Sequence, residues 1–215
     1  TSVLYPHCRG ITLVDSGDYA SKDLKFYSSY FPSIDNNLNL DARLPDFENS
    51  ETVDDLLSSI GGCYLVEGLS SLKGLPDEQY DIIFSQAVLE HIRKDEVFDI
   101  FVECNRLLKS NGIMSHVIDF KDHLGGGLNN LRFNEGLWEK DWFAYRSGFY
   151  TNRLRLVDFE HIASEAGFRI EVRSKRLWSD LPINQKKLAP LFRGYSKDEL
   201  KVSGAHIIMK KVTLG

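Results

Sequence analysis

Short apolar runs alternate with stretches of helical spacing along this chain. Three runs, at Ile11 to Val14, Cys63 to Val66 and Ile113 to Phe120, have the length and composition of strands. The nearly continuous run from Ile82 to Phe84 is typical of a parallel strand covered on both faces. Helical spacing predicts helices at about 21–31, 53–60, 95–110 and 156–166. This alternation predicts an α/β fold with a mainly parallel sheet and helices on both faces.

The end of the chain adds two further strands. Phe168 to Arg173 alternates apolar and charged residues, as expected of a strand with one solvent-exposed face. Ala205 to Val212 is predicted to be the last strand of the chain. We therefore expect a single domain over residues 1–215, a size that can bury its own core.

Composition excludes several classes of protein. The chain is 42% hydrophobic and 27% charged, and it has no apolar run long enough to cross a bilayer. Its net charge of -5 argues against a nucleic-acid partner or a membrane surface. Cys8, Cys63 and Cys104 lack the spacing of zinc ligands or a disulfide frame, so we expect reduced core residues. No signal peptide is recognisable, which leads us to expect a cytoplasmic protein.

Polar side chains follow several predicted strands at their carboxyl ends. Asp15 follows the first strand, where an acidic residue of a βαβ unit typically binds ribose hydroxyls, although a turn cap would explain it equally well. Ligands of open α/β sheets bind at the carboxyl ends of the strands. We expect such a crevice beside Ser85, Gln86, Glu90 and His91, at the end of the strand at Ile82 to Phe84. The end of the next strand gathers His116, Asp119, Asp122 and His123, and we expect two of these to face the crevice. Alternating strand geometry disfavours a complete set of metal ligands here, and we expect no metal.

A triple glycine at 125–127 opens a segment, residues 124–155, that we expect to be a lid or insertion. The segment is rich in aromatic residues and arginines, a mixture that suits stacking on a substrate and pairing with an anion. Trp138 and Arg153 are our candidates for substrate binding. The alternative is a small satellite core with solvated charges.

Five stretches in this order resemble the class I S-adenosylmethionine-dependent methyltransferases, and more narrowly the type 11 methyltransferase domain. They are ITLVD, YDIIFSQAVLEHI, ECNRLLKSNG, HVIDFKDH, and FYTNRLR with the helix up to EAGF. The resemblance implies a Rossmann-like sheet of seven strands, with the last strand antiparallel, and S-adenosylmethionine as cofactor. It further implies that Asp15 holds the ribose, that Leu69 and Ser70 lie against adenine, and that Ser85, Gln86 and Ala87 lie near the methionine part.

Two departures from the family pattern bear on cofactor binding. The family's first strand and glycine-rich loop would precede Thr1, so we expect the sequence to be a truncated part of a longer protein. An acidic side chain is common where this sequence has Leu69, so backbone groups or Ser70 would have to serve.

The expected reaction is methyl transfer to a small-molecule acceptor of anionic or sugar-like character. A hydroxyl or amine acceptor must lose a proton, and His91 and His123 are the candidate bases, with Asp119 or Glu90 to orient them. The alternative is a non-catalytic module that keeps the methyltransferase-like fold for binding or assembly.

Overall fold

The computed structural model describes residues 7–30 and 45–212. The described chain falls into two compact units, residues 1–74 and 75–215. None of the described helices is both long and apolar enough to cross a membrane.

The first unit is built on two parallel strands. β1 (Ile11–Val14) pairs with β2 (Gly62–Leu65), which confirms both predicted strands to within a residue or two. Residues 24–30 are helical, and Phe31, the end of that predicted helix, lies outside the described residues. Two helices follow, α1 (Val53–Ser59) and α2 (Leu69–Lys73). Thr52 starts α1 because its side chain accepts a hydrogen bond from the Asp55 N–H while the Asp55 carboxylate accepts one from the Thr52 N–H.

The second unit contains a four-stranded sheet in the order β3-β4-β6-β5. Its strands are β3 (Tyr80–Gln86), β4 (Leu108–Asp119), β5 (Phe168–Leu177) and β6 (Val202–Lys211). β3 and β4 are parallel, whereas β6 is antiparallel to both of its neighbours. The predicted mixed α/β architecture and the antiparallel last strand are therefore confirmed.

Five α-helices of the described chain complete this unit. They are α3 (Val97–Leu107), α4 (Glu135–Trp138), α5 (Asp141–Arg146), α6 (Leu156–Glu165) and α7 (Lys197–Lys201), with 3-10 turns at Asn129–Arg132, Gln185–Lys187 and Pro190–Phe192. The helical spacing of its apolar residues lets α3 bury Val97, Phe101, Cys104 and Leu107. Phe101 lies beside Phe159 of α6, with ring centroids 6.4 Å apart, so the two long helices share one core.

The prediction that Ile82 to Phe84 is covered on both faces is wrong. β3 forms an edge of its sheet, and the side chains of Ile82 and Phe84 are 55% and 50% exposed. Ile82 and Phe84 are two positions apart, so they lie on the same face of β3, and that face is open among the described residues. The expectation of three core cysteines also fails in part, since Cys8 and Cys63 are exposed and only Cys104 is buried.

Residues 124–155 form a segment with short helices that shares a core with residues 188–200. The Asp122 carboxylate holds its glycine-rich start, because Oδ1 accepts from the N–H groups of Leu124 (2.9 Å) and Gly127 (3.2 Å) and Oδ2 accepts from that of Asn129. Leu128 and Leu131 then pack against Leu188, Ala189, Phe192 and Leu200 from later in the chain. The Asp122 carboxyl group therefore has a structural role.

Candidate functional site

In the first unit, the chain segments that follow β1 and β2 are joined by backbone hydrogen bonds. The N–H of Asp15 donates to Leu65 O (2.9 Å), and the N–H of Gly68 donates to Asp15 O (2.8 Å). Gly68 has φ +52°, a left-handed conformation that favours glycine. Leu69 and Ser70 follow directly, so the structure brings the two residues predicted at adenine close to Asp15.

Tyr64 of β2 positions this acidic residue, a role that the sequence analysis missed. Its hydroxyl lies 3.0 Å from Gly17 O and 3.3 Å from Asp15 Oδ2, and it accepts from the N–H of Tyr19 at 3.3 Å. The other carboxylate oxygen of Asp15 accepts from the N–H of Ser16 at 2.7 Å. The parallel register, which pairs Leu13 with Tyr64, explains how a strand neighbour reaches the loop after β1.

In the second unit, Ser85, Gln86 and Ala87 lie at the carboxyl end of β3. Ser85 Oγ lies 2.7 Å from Nδ1 of His116 on β4, and burial lowers the pKa of His116 to about 4, so this imidazole is neutral at physiological pH. Gln86 and Ala87 are exposed. Ala87 has φ +51°, which is strained for a residue with a Cβ.

His91 and His123 come together at the carboxyl ends of β3 and β4. Both side chains are exposed, and their ring centroids are 4.9 Å apart. A turn carries His91, whose N–H donates to Val88 O at 2.8 Å, and His91 Nδ1 lies 3.3 Å from Tyr150 O. An acceptor from solvent can therefore reach either imidazole.

Asn152 fixes the turn that carries His91, and it too was missed from the sequence. Its Nδ2 donates to Leu89 O (2.7 Å) and Ile92 O (3.1 Å), while its N–H donates to Glu90 O (2.8 Å). The only signal in the sequence was its place within FYTNRLR, one of the stretches that carry the family resemblance. Asn152 is almost fully buried, so the turn is held from inside the protein.

The two acidic groups beside the histidines differ in environment. Glu90 is buried, and its Oε1 accepts from the N–H of Asp119 at 3.2 Å. Burial raises the pKa of its carboxyl group, while hydrogen bonds from the backbone, including the one from Asp119, oppose that shift. Asp119 is partly exposed, and its carboxylate accepts from the Lys121 N–H (3.0 Å) and faces Lys121 Nζ (3.3 Å). Asp119 therefore forms an ion pair with Lys121.

The two residues predicted to bind substrate, Trp138 and Arg153, are buried. Trp138 has no exposed surface, and its Nε1 donates to Thr151 O at 2.7 Å. The guanidinium of Arg153 lies 5.1 Å from the Trp138 ring centroid and donates to Phe133 O at 2.8 Å. These surroundings favour the packing alternative, since neither side chain presents a surface to an acceptor.

Other aromatic residues of the same segment are exposed. Trp142 and Tyr145 lie on one side of α5 and are 56% and 72% exposed, and Phe149 follows shortly after. The Arg93 guanidinium lies 5.7 Å from the Tyr145 ring centroid, which puts a cation beside this surface. Among the described residues, no group of three or more His, Cys, Asp or Glu side chains could hold a metal ion.

One part of the chain matches a known protein family. Residues 42–115, about a third of the chain, match the methyltransferase domain family. The match includes β2, β3, α3 and the turn with Glu90 and His91. None of the curated proteins matches the chain.

Two solved structures are similar to this chain. An S-adenosylmethionine-dependent methyltransferase from Archaeoglobus fulgidus has 12% identity and a TM-score of 0.49, over 97% of this chain and 89% of that one. A second S-adenosylmethionine-dependent methyltransferase, from Methanosarcina mazei, has 17% identity and a TM-score of 0.49, over 98% of this chain and 85% of that one.

The family match confirms the prediction of an S-adenosylmethionine-dependent methyltransferase, with S-adenosylmethionine as the cofactor. The residues after β1 fit this cofactor chemically. The carboxylate of Asp15 is a hydrogen-bond acceptor of the kind that ribose hydroxyls need, and it is held in place by Tyr64 and Ser16.

Proposed function

We propose that this protein methylates a small-molecule acceptor and that the acceptor is anionic or sugar-like. The observation that carries this proposal is the exposed pair of imidazoles, His91 and His123, at the carboxyl ends of β3 and β4. Open α/β sheets bind their ligands at these ends.

The chemistry divides between the cofactor and the protein. S-adenosylmethionine supplies a methyl group that leaves its sulfur as the acceptor atom attacks. The protein orients the acceptor and takes the proton that a hydroxyl or amine loses. Either His91 or His123 would hold that proton on a ring nitrogen. Asp119, with its carboxylate held by Lys121, would act on this pair through charge.

The cofactor would bind through residues at the strand ends. We assign the ribose hydroxyls to Asp15, adenine to Leu69 and Ser70, and the methionine part to Ser85, Gln86 and Ala87. The exposed side chain of Gln86 and the His116 contact that fixes Ser85 support the last assignment.

The acceptor class rests on the exposed face of residues 124–155. Trp142, Tyr145 and Phe149 offer aromatic faces to the apolar side of a sugar ring, and the nearby guanidinium of Arg93 suits a carboxylate or phosphate. Trp138 and Arg153, which are buried in the same segment, would stabilise the segment without contacting the acceptor. A net charge of -5 disfavours a nucleic-acid polymer.

The test measures methyl transfer and cofactor binding separately. The protein is incubated with S-adenosylmethionine and a panel of acidic and neutral sugar derivatives. We expect methyl transfer to at least one of these sugar derivatives. His91→Ala or His123→Ala should lower kcat by roughly 10²–10⁴-fold, the usual contribution of a general base. His161→Ala, at an exposed position of α6, is the matched control and should leave kcat unchanged.

Two outcomes contradict the proposal. Cofactor binding without transfer to any acceptor would favour the non-catalytic module. Full activity in both histidine variants would remove the pair from the reaction.

A further inference from the structure

The two exposed histidines at the strand ends are held differently. Nδ1 of His91 forms a hydrogen bond with the carbonyl oxygen of Tyr150, 3.3 Å away. The ring of His123 contacts the His91 ring, but it has no hydrogen bond within the part of the chain that the structure describes. His123 also lies close to Gly125 and Gly126, whose φ angles of +122° and +75° few other residues adopt. Of the two rings, only that of His91 is therefore oriented by a hydrogen bond.

The bond to Tyr150 determines where a neutral His91 ring carries its proton. A carbonyl oxygen accepts hydrogen bonds and cannot donate them, so Nδ1 must be the donor. The lone pair of the neutral ring is then on Nε2. Tyr150 is 7% exposed whereas His91 is exposed, so the protonated nitrogen is the one turned toward the protein. Nε2 is thus the nitrogen that can take a proton from a bound molecule.

Residues 150–152 hold both the ring and the backbone of His91. The carbonyl of Tyr150 accepts from the ring, and Nδ2 of Asn152 donates to Leu89 O in the turn that carries His91, at 2.7 Å. Tyr150 is fixed as well, since its hydroxyl donates to Glu139 Oε2 at 2.8 Å. A base is efficient when its position relative to the proton is fixed in advance, and this arrangement fixes that of His91.

We propose that His91, and not His123, is the base of this site and that the proton of the acceptor goes to His91 Nε2. The inference rests on the proposed function and refines it, because it chooses between the two imidazoles. The acceptor oxygen forms a bond to the methyl carbon while its O–H bond breaks, and the proton joins the lone pair of Nε2. The electron pair of the S–CH3 bond stays on sulfur, so the positive charge of the sulfonium passes to the imidazole. The Tyr150 carbonyl stabilises that charge through the Nδ1–H.

The first experiment measures the position of the proton without any acceptor. The full-length protein is labelled with ¹⁵N-histidine, and nitrogen NMR is recorded at a pH where both rings are neutral. We expect the His91 ring to carry its proton on Nδ1, because only that form can donate to Tyr150 O. The His123 ring should be a mixture of both forms. A proton on Nε2 of His91 would overturn the inference.

The second experiment separates a chemical role of His91 from a structural one. Methyl transfer is measured with methyl glucoside, glucuronic acid and glucose 6-phosphate. In His91→Asn the amide can still donate to Tyr150 O, but the side chain has no basic nitrogen. We expect kcat to fall by roughly 10²–10⁴-fold and KM to stay within about threefold. His123→Asn, the same change in the other ring, should lower kcat by less than about tenfold.

A base added from solution provides a further readout. Since His91 is exposed, free imidazole can reach the space that His91→Ala opens, and it should raise kcat of that variant at least about tenfold. His161→Ala, at an exposed position of α6, is the matched control and should gain nothing from imidazole. A role of His91 in packing alone would give no such gain.

The outcomes distinguish this inference from the proposed function. A larger loss of kcat in His123→Asn than in His91→Asn, or no gain from imidazole in His91→Ala, would overturn the choice of His91 while methyl transfer itself stands. If the parent methylates none of the three acceptors, the proposed function is contradicted and the inference is lost with it. Thermal unfolding identifies any variant that has lost its fold, and the proton position, measured in the unaltered protein, then remains decisive.

Discussion

At the scale of single residues, the carboxylate of Asp15 depends on a tyrosine of the neighbouring strand. Tyr64→Phe should weaken S-adenosylmethionine binding by about 1 kcal/mol, because the hydroxyl that lies 3.3 Å from Asp15 Oδ2 is lost. Asp15→Ala removes a charged acceptor and should cost roughly 1.5–3 kcal/mol. Calorimetric titration of the full-length protein measures both. Tyr27→Phe, whose hydroxyl donates to Ser21 O instead, is the control. Unchanged affinity in Asp15→Ala would remove this residue from the site.

A second prediction at this scale concerns pH and His116. The folded protein keeps this imidazole neutral down to about pH 4, whereas an unfolded imidazole takes up a proton at about pH 6.5. Between these values the unfolded chain binds more protons, so stability is fully present above about pH 6.5 and falls as the pH is lowered toward 4. The loss should reach roughly 3 kcal/mol.

Urea unfolding at several pH values tests this expectation. His116→Gln should flatten the dependence between pH 6.5 and 4, while His161→Gln, an exposed control on α6, should leave it as in the parent. An equal slope in His116→Gln and parent would assign the acid sensitivity to other groups.

At the scale of elements, residues 124–155 combine a buried and an exposed set of aromatic side chains. Trp138→Ala should cost roughly 3–5 kcal/mol of unfolding free energy, since it leaves a cavity and frees the Thr151 carbonyl. Trp142→Ala should change stability little but lower affinity for the acceptor, because its ring is 56% exposed. Urea unfolding and acceptor titration, made on both variants, separate the two roles. Acceptor binding unaffected by Trp142→Ala would remove this face from the proposal.

The sequence predicted the elements better than it predicted their surroundings. Helical spacing and apolar runs placed β1, α3, α6 and β6 to within a few residues, because local periodicity determines those elements. The cover of β3 was predicted wrongly, since it depends on which elements pack onto the face of the sheet. Trp138 was likewise assigned to a binding surface because composition does not distinguish a stacking face from a core.

At the scale of the whole molecule, the position of the polar side chains at the strand ends was largely predictable, whereas their supports were not. His91, His123 and Asp119 were selected because α/β sheets bind ligands at carboxyl ends, and the rings of the two histidines do meet. Tyr64 and Asn152 were missed because each acts through residues more than 45 positions away in the sequence, across a strand pairing or a turn. Their partners are visible only in three dimensions.

The last prediction concerns the stability of the whole chain with its cofactor. A ligand that binds only the folded state at 100 times its dissociation constant adds about 2.7 kcal/mol, which for a protein of this size raises the melting temperature by roughly 5–11 °C. We expect S-adenosylmethionine to produce a shift that grows with the logarithm of its concentration, and we expect Asp15→Ala to need a higher concentration for the same shift. Adenosine alone, which lacks the methionine part, is the control and should act more weakly if Ser85, Gln86 and Ala87 contribute. Calorimetry of the full-length protein measures all three. A melting temperature that no concentration of S-adenosylmethionine raises would contradict cofactor binding itself, because linkage requires any ligand of the folded state to stabilise it.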